Sequence, residues 1–321
     1  MAHGNLLKLK LLMGGLLAVA ATFAAHDARS GGPPAPRQVT PDSNGHGIAS
    51  VYGAVAADQV EFLSTPASIK SAAASGAPTL VWEALEHGEK VECLDCIGAV
   101  APLLYDANAK TREIAAWWLR RRILGVFGPN EVYELTIRTL QGDAALGGAD
   151  PVRRSYAAYA LGEFLAAPGI DACASAIGTD PDARVRAAAA SALGRLNSDG
   201  NGALAVALGD ADASVKLAAA SSAARINSFS GLPQLAMLTV DGTVQVRRRA
   251  IEVLDALNAK DAVMAVVMAA QSDKDPSVRA AACHALGTFR DASALTVLQG
   301  LAQSDADTFV RDQAKIALRR L

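Results

Sequence analysis

DARVRAAAASALG, residues 182–194, and DPSVRAAACHALG, residues 275–287, are two settings of one pattern. An aspartate opens each, Val-Arg follows, alanines recur at helical spacing, and Leu-Gly closes it. Taking Arg186 and Arg279 as reference, the same frame fits around Arg112, Arg154, Lys216, Arg247 and Arg311. The intervals are 42, 32, 30, 31, 32 and 32 residues, and the one long interval contains the Gly-rich stretch 142–148. The third residue after each reference is always alanine: Ala115, Ala157, Ala189, Ala219, Ala250, Ala282 and Ala314. The seventh is Leu119, Leu161, Leu193, Ala223, Leu254, Leu286 and Leu318, and the tenth is mostly large and apolar. Offsets 3, 7 and 10 share one face of a helix. Each unit also has an apolar segment upstream, as in residues 262–270 and 294–302, and a short turn begun by aspartate. Aspartate caps a helix N-terminus by accepting its free N–H groups, and proline suits the first helical position.

Each unit therefore reads as helix A, an Asp-led turn and helix B. Two short helices cannot bury their apolar faces alone, but stacked neighbours form one continuous core. The expected fold class is all-α, an α-solenoid of about seven helix-turn-helix units over residues 93–321. Composition agrees: hydrophobic residues make up 51% of the 321-residue chain but aromatic residues only 5%, a poor supply for β-sandwich strands. Charged residues at 19% and a mean hydropathy of +0.21 exclude a wholly disordered chain.

The pattern D-x-x-V-R-x-x-A-x-x-A-L-G resembles the short HEAT-like repeats of phycobilisome-lyase type, over about residues 93–321. The resemblance implies that the B helices line a concave side. It implies little about activity, because such repeats serve many functions. Some relatives attach bilin chromophores. Others, resembling deoxyhypusine hydroxylase, hold two irons with several His-Glu pairs; this chain has no His-Glu dipeptide, so a di-iron site of that kind is excluded.

Upstream of the repeats, Lys8 and Lys10 precede an uncharged stretch, residues 11–25, with Ala18-Val19-Ala20 and Thr22-Phe23-Ala24 as small-x-small cleavage signals. Residues 1–25 read as a secretory signal peptide, its apolar core of about 15 residues too short for the ~20 that a membrane span needs. Residues 26–50, rich in Gly, Pro, Ser and Asn, read as a flexible linker. Residues 51–92 read as an N-terminal cap region with one helix, residues 78–87. The expectation is an exported chain, periplasmic or extracellular, with no integral span once the leader is cleaved. Its formal charge is −2, or −4 without Lys8 and Lys10, and this gives no basic footprint for nucleic acid.

Asp182 with Arg186, Asp275 with Arg279, and Asp307 with Arg311 recur too regularly for catalysis and read as a structural ladder between neighbouring turns. Cys93 and Cys96 form a candidate disulfide in an exported chain; the alternatives are a thiol-disulfide oxidoreductase or metal-dependent activity at that pair. No phosphate loop, nucleophile elbow or metalloprotease helix is present, and no cofactor or metal is expected. Offsets 2, 5 and 9 point away from the core and include Trp117, Arg121, Tyr156, Tyr159, Arg195 and Arg225. Trp, Tyr and Arg are the residue types that anchor interfaces. This face is the expected binding groove for a protein or peptide partner, making the chain a non-enzymatic scaffold.

Overall fold

The computed structural model describes residues 64–123, 131–196, 201–226 and 228–321. The expected leader, the linker and residues 51–63 of the cap region lie outside the described residues. Sixteen α-helices and no strand occur among those described. The first pair is α1 (Pro66–Ser75) and α2 (Pro78–His87). Thereafter come α3 (Leu94–Val100), extended by a 3-10 turn Ala101–Tyr105, and α4 (Ala109–Ile123); α5 (Glu131–Leu140) and α6 (Pro151–Phe164); α7 (Pro168–Thr179) and α8 (Ala183–Leu196). The remainder are α9 (Asn201–Leu208) and α10 (Ala213–Ala223); α11 (Leu232–Met237) and α12 (Val244–Ala256); α13 (Val263–Ser272) and α14 (Pro276–Phe289); α15 (Leu295–Ser304) and α16 (Thr308–Leu318). Seven pairs follow the sequence frame. The cap region, expected to hold one helix, holds two: α1 starts at a Thr65–Ser68 capping box with Pro66 at its first position.

The helices form two layers. Successive even-numbered helices pack side by side from α2 to α16, and more extensively than successive odd-numbered ones. Closer packing within one layer bends the stack toward it, which puts the even-numbered helices on the inner side. The third-position alanines are all fully buried, as are the seventh-position residues from Leu119 to Leu286. Glycine at the eighth position brings neighbouring inner helices closest. A Cβ added to Gly162, Gly194 or Gly287 would lie 2.8 Å from the Cα of Ala192, Ser222 or Ala317 on the next inner helix.

The turns carry the ladder, but with different carboxylates from those expected. Asp182 and Asp275 cap α8 and α14 by accepting N–H groups of Arg184 and Ser277, and Asp307 accepts the N–H of Val310. The rungs run instead to the aspartate two residues earlier in the next turn. Arg186 Nε and Nη2 donate to Asp210 at 2.7 and 3.0 Å, and Arg279 donates to Asp305 at 2.8 Å through both nitrogens. Arg154–Asp180 and Arg247–Asp273 repeat this geometry, and Lys216–Asp241 is a single contact of 2.6 Å. Each arginine's Nη1 also holds carbonyls of its own turn, so Arg186 binds Asp180 O and Pro181 O, both at 3.0 Å. The physical reason is division of labour: a capping carboxylate is occupied by its helix's first N–H groups, while the extended arginine reaches the neighbouring unit. Arg311 holds the carbonyls of Asp305 and Ala306 and the Thr308 hydroxyl.

The rungs make stability acid-sensitive. Hydrogen bonds from Arg186 and Arg279 hold the Asp210 and Asp305 carboxyls below the ordinary aspartate value. At Asp241 and Asp273 burial, the largest single influence, pulls upward, but Lys216, Arg247 and backbone N–H donors together outweigh it. A value lowered on folding stabilises the fold above the unfolded value, and that contribution is lost as pH falls through the folded value. Thermal unfolding followed by circular dichroism is expected to be level above about pH 5 and to fall steeply below about pH 4. Asp305→Ala is expected to remove about 2–3 kcal/mol at neutral pH, less than a fully buried pair because Arg279 keeps its carbonyl partners.

Candidate functional site

The inner face of α6 and α8 brings together three of the six residues expected in the groove, Tyr156, Tyr159 and Arg195. Tyr156 and Tyr159 are half-buried on α6. The Arg112 guanidinium stacks 3.8 Å from the Tyr156 ring centre. Arg112 is the reference arginine of its unit, but Gly148 stands where the next turn would supply its rung aspartate, so the ring takes the place of the carboxylate. The Arg195 guanidinium lies 5.3 Å from the Tyr159 ring centre and is ion-paired with Glu163, one unit back. Burial pushes the Tyr159 phenol above its ordinary value, partly opposed by Arg195, so it is a neutral hydroxyl at physiological pH.

Other expected groove residues are placed differently. Trp117 is half-buried and packs against the core. Arg121 pairs with Glu89, again one unit back. Arg225 is exposed just beyond the end of α10, away from the tyrosine cluster. Ile114, at an offset expected to face outward, is buried, only 4% exposed. Arg121 and Arg195 therefore brace neighbouring units and have carboxylate partners of their own. Reading offsets along one helix could not reveal this, because each pair joins residues 32 apart in the chain.

At the other end of the inner face, α12, α14 and the start of α16 enclose a cleft of about 530 Å³. His284 Nδ1 lies 2.8 Å from Asp255 Oδ2 across the two helices. Asp255 occupies the eighth position, where α6, α8 and α14 have glycine. On the outer layer a second depression, about 570 Å³, lies between α3, its 3-10 extension and α5; it is lined mainly by aliphatic side chains, with Arg153 stacked 3.7 Å from the Tyr105 ring centre.

Cys93 and Cys96 are joined in a disulfide. Cys93 is the N-cap of α3 and Cys96 is fully buried, its Sγ 3.6 Å from the Pro66 carbonyl. Cys173 and Cys283 are buried thiols, both pushed up to about 12 by burial, as small core residues should be. Among the described residues no group of three or more His, Cys, Asp or Glu converges on a metal position, and no helix is long and apolar enough to cross a membrane.

Stacked helical hairpins with one continuous core and a chemically varied inner layer define an α-solenoid repeat protein. Residues 142–224 and 232–319, together more than half the chain, match the HEAT repeats, and the chain belongs to that family. Its fold is similar to that of the Escherichia coli YibA protein, at 18% identity and a TM-score of 0.52, over 89% of this chain and 100% of that one. It is also similar to the complex of CpcE and CpcF of phycocyanin lyase from Nostoc sp. (18% identity, TM-score 0.39, 70% of this chain and 94% of that one). Human deoxyhypusine hydroxylase matches at 20% identity and a TM-score of 0.35, over 81% of this chain and 96% of that one. These identities show the fold alone. No curated protein matches the chain.

Proposed function

We propose that this protein is a non-enzymatic scaffold, exported from the cytoplasm, whose inner groove holds a segment of a partner protein. The observation that carries the reading is the aromatic end of the groove. Two partly exposed tyrosines on α6 are each faced by a guanidinium, and Trp117 on the neighbouring α4 is partly exposed as well. Aromatic rings held in place by arginine offer rigid, amphipathic contact area at small entropic cost, the character of interface anchors. Because Arg121 and Arg195 have glutamate partners, the rings rather than free positive charge supply the grip at this end. Export is supported by the basic-apolar-small leader and by the Cys93–Cys96 bridge, since disulfides persist in oxidising compartments.

Trp117→Ala and Tyr159→Ala, expressed in the native cell and purified with their bound proteins, are expected to lose a partner that the unaltered chain retains. Both side chains are partly exposed, so circular dichroism should show an intact helical fold. An unchanged set of partners with that fold intact removes the reading.

A further inference from the structure

The Cys93–Cys96 bridge joins residues three apart at the start of α3, so it ties no two helices together. The chain-entropy share of a disulfide's stabilisation grows with the loop it closes and is small here. α3 packs on α1 with Ile69, Ile97 and Val100 buried, and that packing holds the pair of helices. We propose that the bridge is a thiol–disulfide exchange site, which reacts with the cysteines of a polypeptide seated by its apolar side chains in the outer depression between α3 and α5.

The two sulfurs have different surroundings. Cys93 is partly exposed, among exposed Glu92, Leu94 and Asp95, whereas Cys96 is fully buried. Access makes Cys93 the sulfur that is attacked and Cys96 the leaving group. Both already have the polar partners that thiols need. Cys93 Sγ accepts the Cys96 N–H at 3.1 Å. Cys96 Sγ lies 3.6 Å from the Pro66 carbonyl oxygen, an acceptor for its proton once the bond opens. Reduction therefore strands no polar group at the buried sulfur. Lys70 on α1 pairs with Asp95 at 3.6 Å and offsets carboxylate charge that would repel an incoming thiolate. The second observation is the depression itself. Leu94 and Asp95, the two residues between the cysteines, form part of its wall, together with Ile97, Pro102 and Leu135. Leu94 is 59% exposed, an apolar side chain open to a ligand. The volume of about 570 Å³ falls within the roughly 300–1,000 Å³ of ligand sites. Apolar side chains lodged there bring adjoining residues of the same polypeptide to Cys93.

In the exchange a substrate thiolate attacks Cys93 Sγ and the Sγ–Sγ bond breaks. Cys96 leaves as a thiolate and takes up the proton that the substrate thiol lost. The substrate's second thiolate then attacks its own sulfur in the mixed disulfide and releases Cys93, which is protonated in turn. The bridge is reduced, the substrate dithiol is oxidised to a disulfide, and two electrons and two protons have passed to the pair. Cys173 and Cys283 are buried and take no part. One dithiol is oxidised per chain, without turnover, so the exchange stands beside the scaffold reading and does not depend on it.

The test mixes the full chain, purified with its bridge intact, with two synthetic peptides that share a Cys-Gly-Ser-Cys centre, one flanked by leucines and the other by serines. Bridge opening is followed by alkylation and peptide mapping. The leucine peptide is expected to open the bond at least about tenfold faster than the serine peptide. A single-cysteine form of the leucine peptide, quenched by alkylation, is expected on Cys93. Leu94→Ser, a change at an exposed position, is expected to slow the leucine peptide about fivefold. Circular dichroism of the reduced chain should keep the helical signal of the oxidised one. Equal rates for the two peptides, trapping on Cys96, an undiminished rate for Leu94→Ser, or helix lost on reduction would each overturn the assignment. A bridge that opens only after the chain is unfolded in urea is a structural staple and overturns it as well.

Discussion

Trp118→Ala is expected to remove about 3–5 kcal/mol of stability and to loosen the first helix pair before the rest of the solenoid. Trp118 is fully buried, while Trp117 beside it is not. The Trp118 indole donates from Nε1 to Gly88 O at 3.0 Å, fixing the end of α2 against α4. The Arg122 guanidinium stacks 3.6 Å from the ring centre and donates to the carbonyls of Trp118, Gly88 and Val91. Burial lowers Arg122 to about 10, so it remains charged at neutral pH and depends on these acceptors and on the ring. Removing the indole leaves a cavity, a Gly88 carbonyl held by Arg122 alone and an arginine without its stacking partner. In a repeat array each unit contacts only its neighbours, so the loss should stay local. Hydrogen exchange should accelerate in α1 to α4 and remain slow in α12 to α16. Trp118→Phe keeps most of the packing and should cost about 1–2 kcal/mol, chiefly the lost hydrogen bond. A uniform acceleration along the chain, or a cost under about 1 kcal/mol for the alanine variant, would show that this seam is not held as described.

A pair of glycine substitutions should move stability in opposite directions. Gly194→Ala places a methyl where Ser222 Cβ and Oγ are 2.5 Å away and Ser222 Cα is 2.8 Å away. The hydroxyl can rotate, but the Cα belongs to α10, so α8 and α10 must separate. Overpacking of this kind costs about 1–3 kcal/mol, against a gain of about 1 kcal/mol in helix propensity. Gly194→Val adds bulk and gives back little propensity, so its net cost should exceed that of alanine, at about 2–3 kcal/mol. Gly300→Ala on α15 meets nothing within 4 Å and should stabilise by about 0.5–1 kcal/mol. Urea unfolding of the three variants checks both signs. A Gly194→Ala chain as stable as Gly300→Ala would show that the inner helices slide apart without cost.

Helix periodicity and the third- and seventh-position core residues are legible in the residues themselves, although Ile114, at an offset read as outward, is buried. Ala at the third position and Leu at the seventh fall inside the core in unit after unit, and the turn aspartates cap helices as their residue type dictates. These are local facts: a helix fixes the angle between offsets, so a single unit is enough to read them. The run of small residues in α1, PASIKSAAAS, has almost no amphipathic contrast and buries only Ile69, so its helix leaves little trace in the sequence.

What passes between units was not legible. The turns before α8, α10, α14 and α16 each hold two aspartates, and only the spacing and rotation of successive hairpins decide that Arg186 reaches Asp210 rather than Asp182. The same geometry pairs Arg195 with Glu163, which turns an apparent row of free guanidinium groups into braces. It also carries Asp255 to His284 and leaves one carboxylate oxygen without a donor. A repeat sequence determines what each hairpin is, because that depends on neighbours along the chain; the electrostatics of the inner face belong to the stack, because every decisive pair there joins different units.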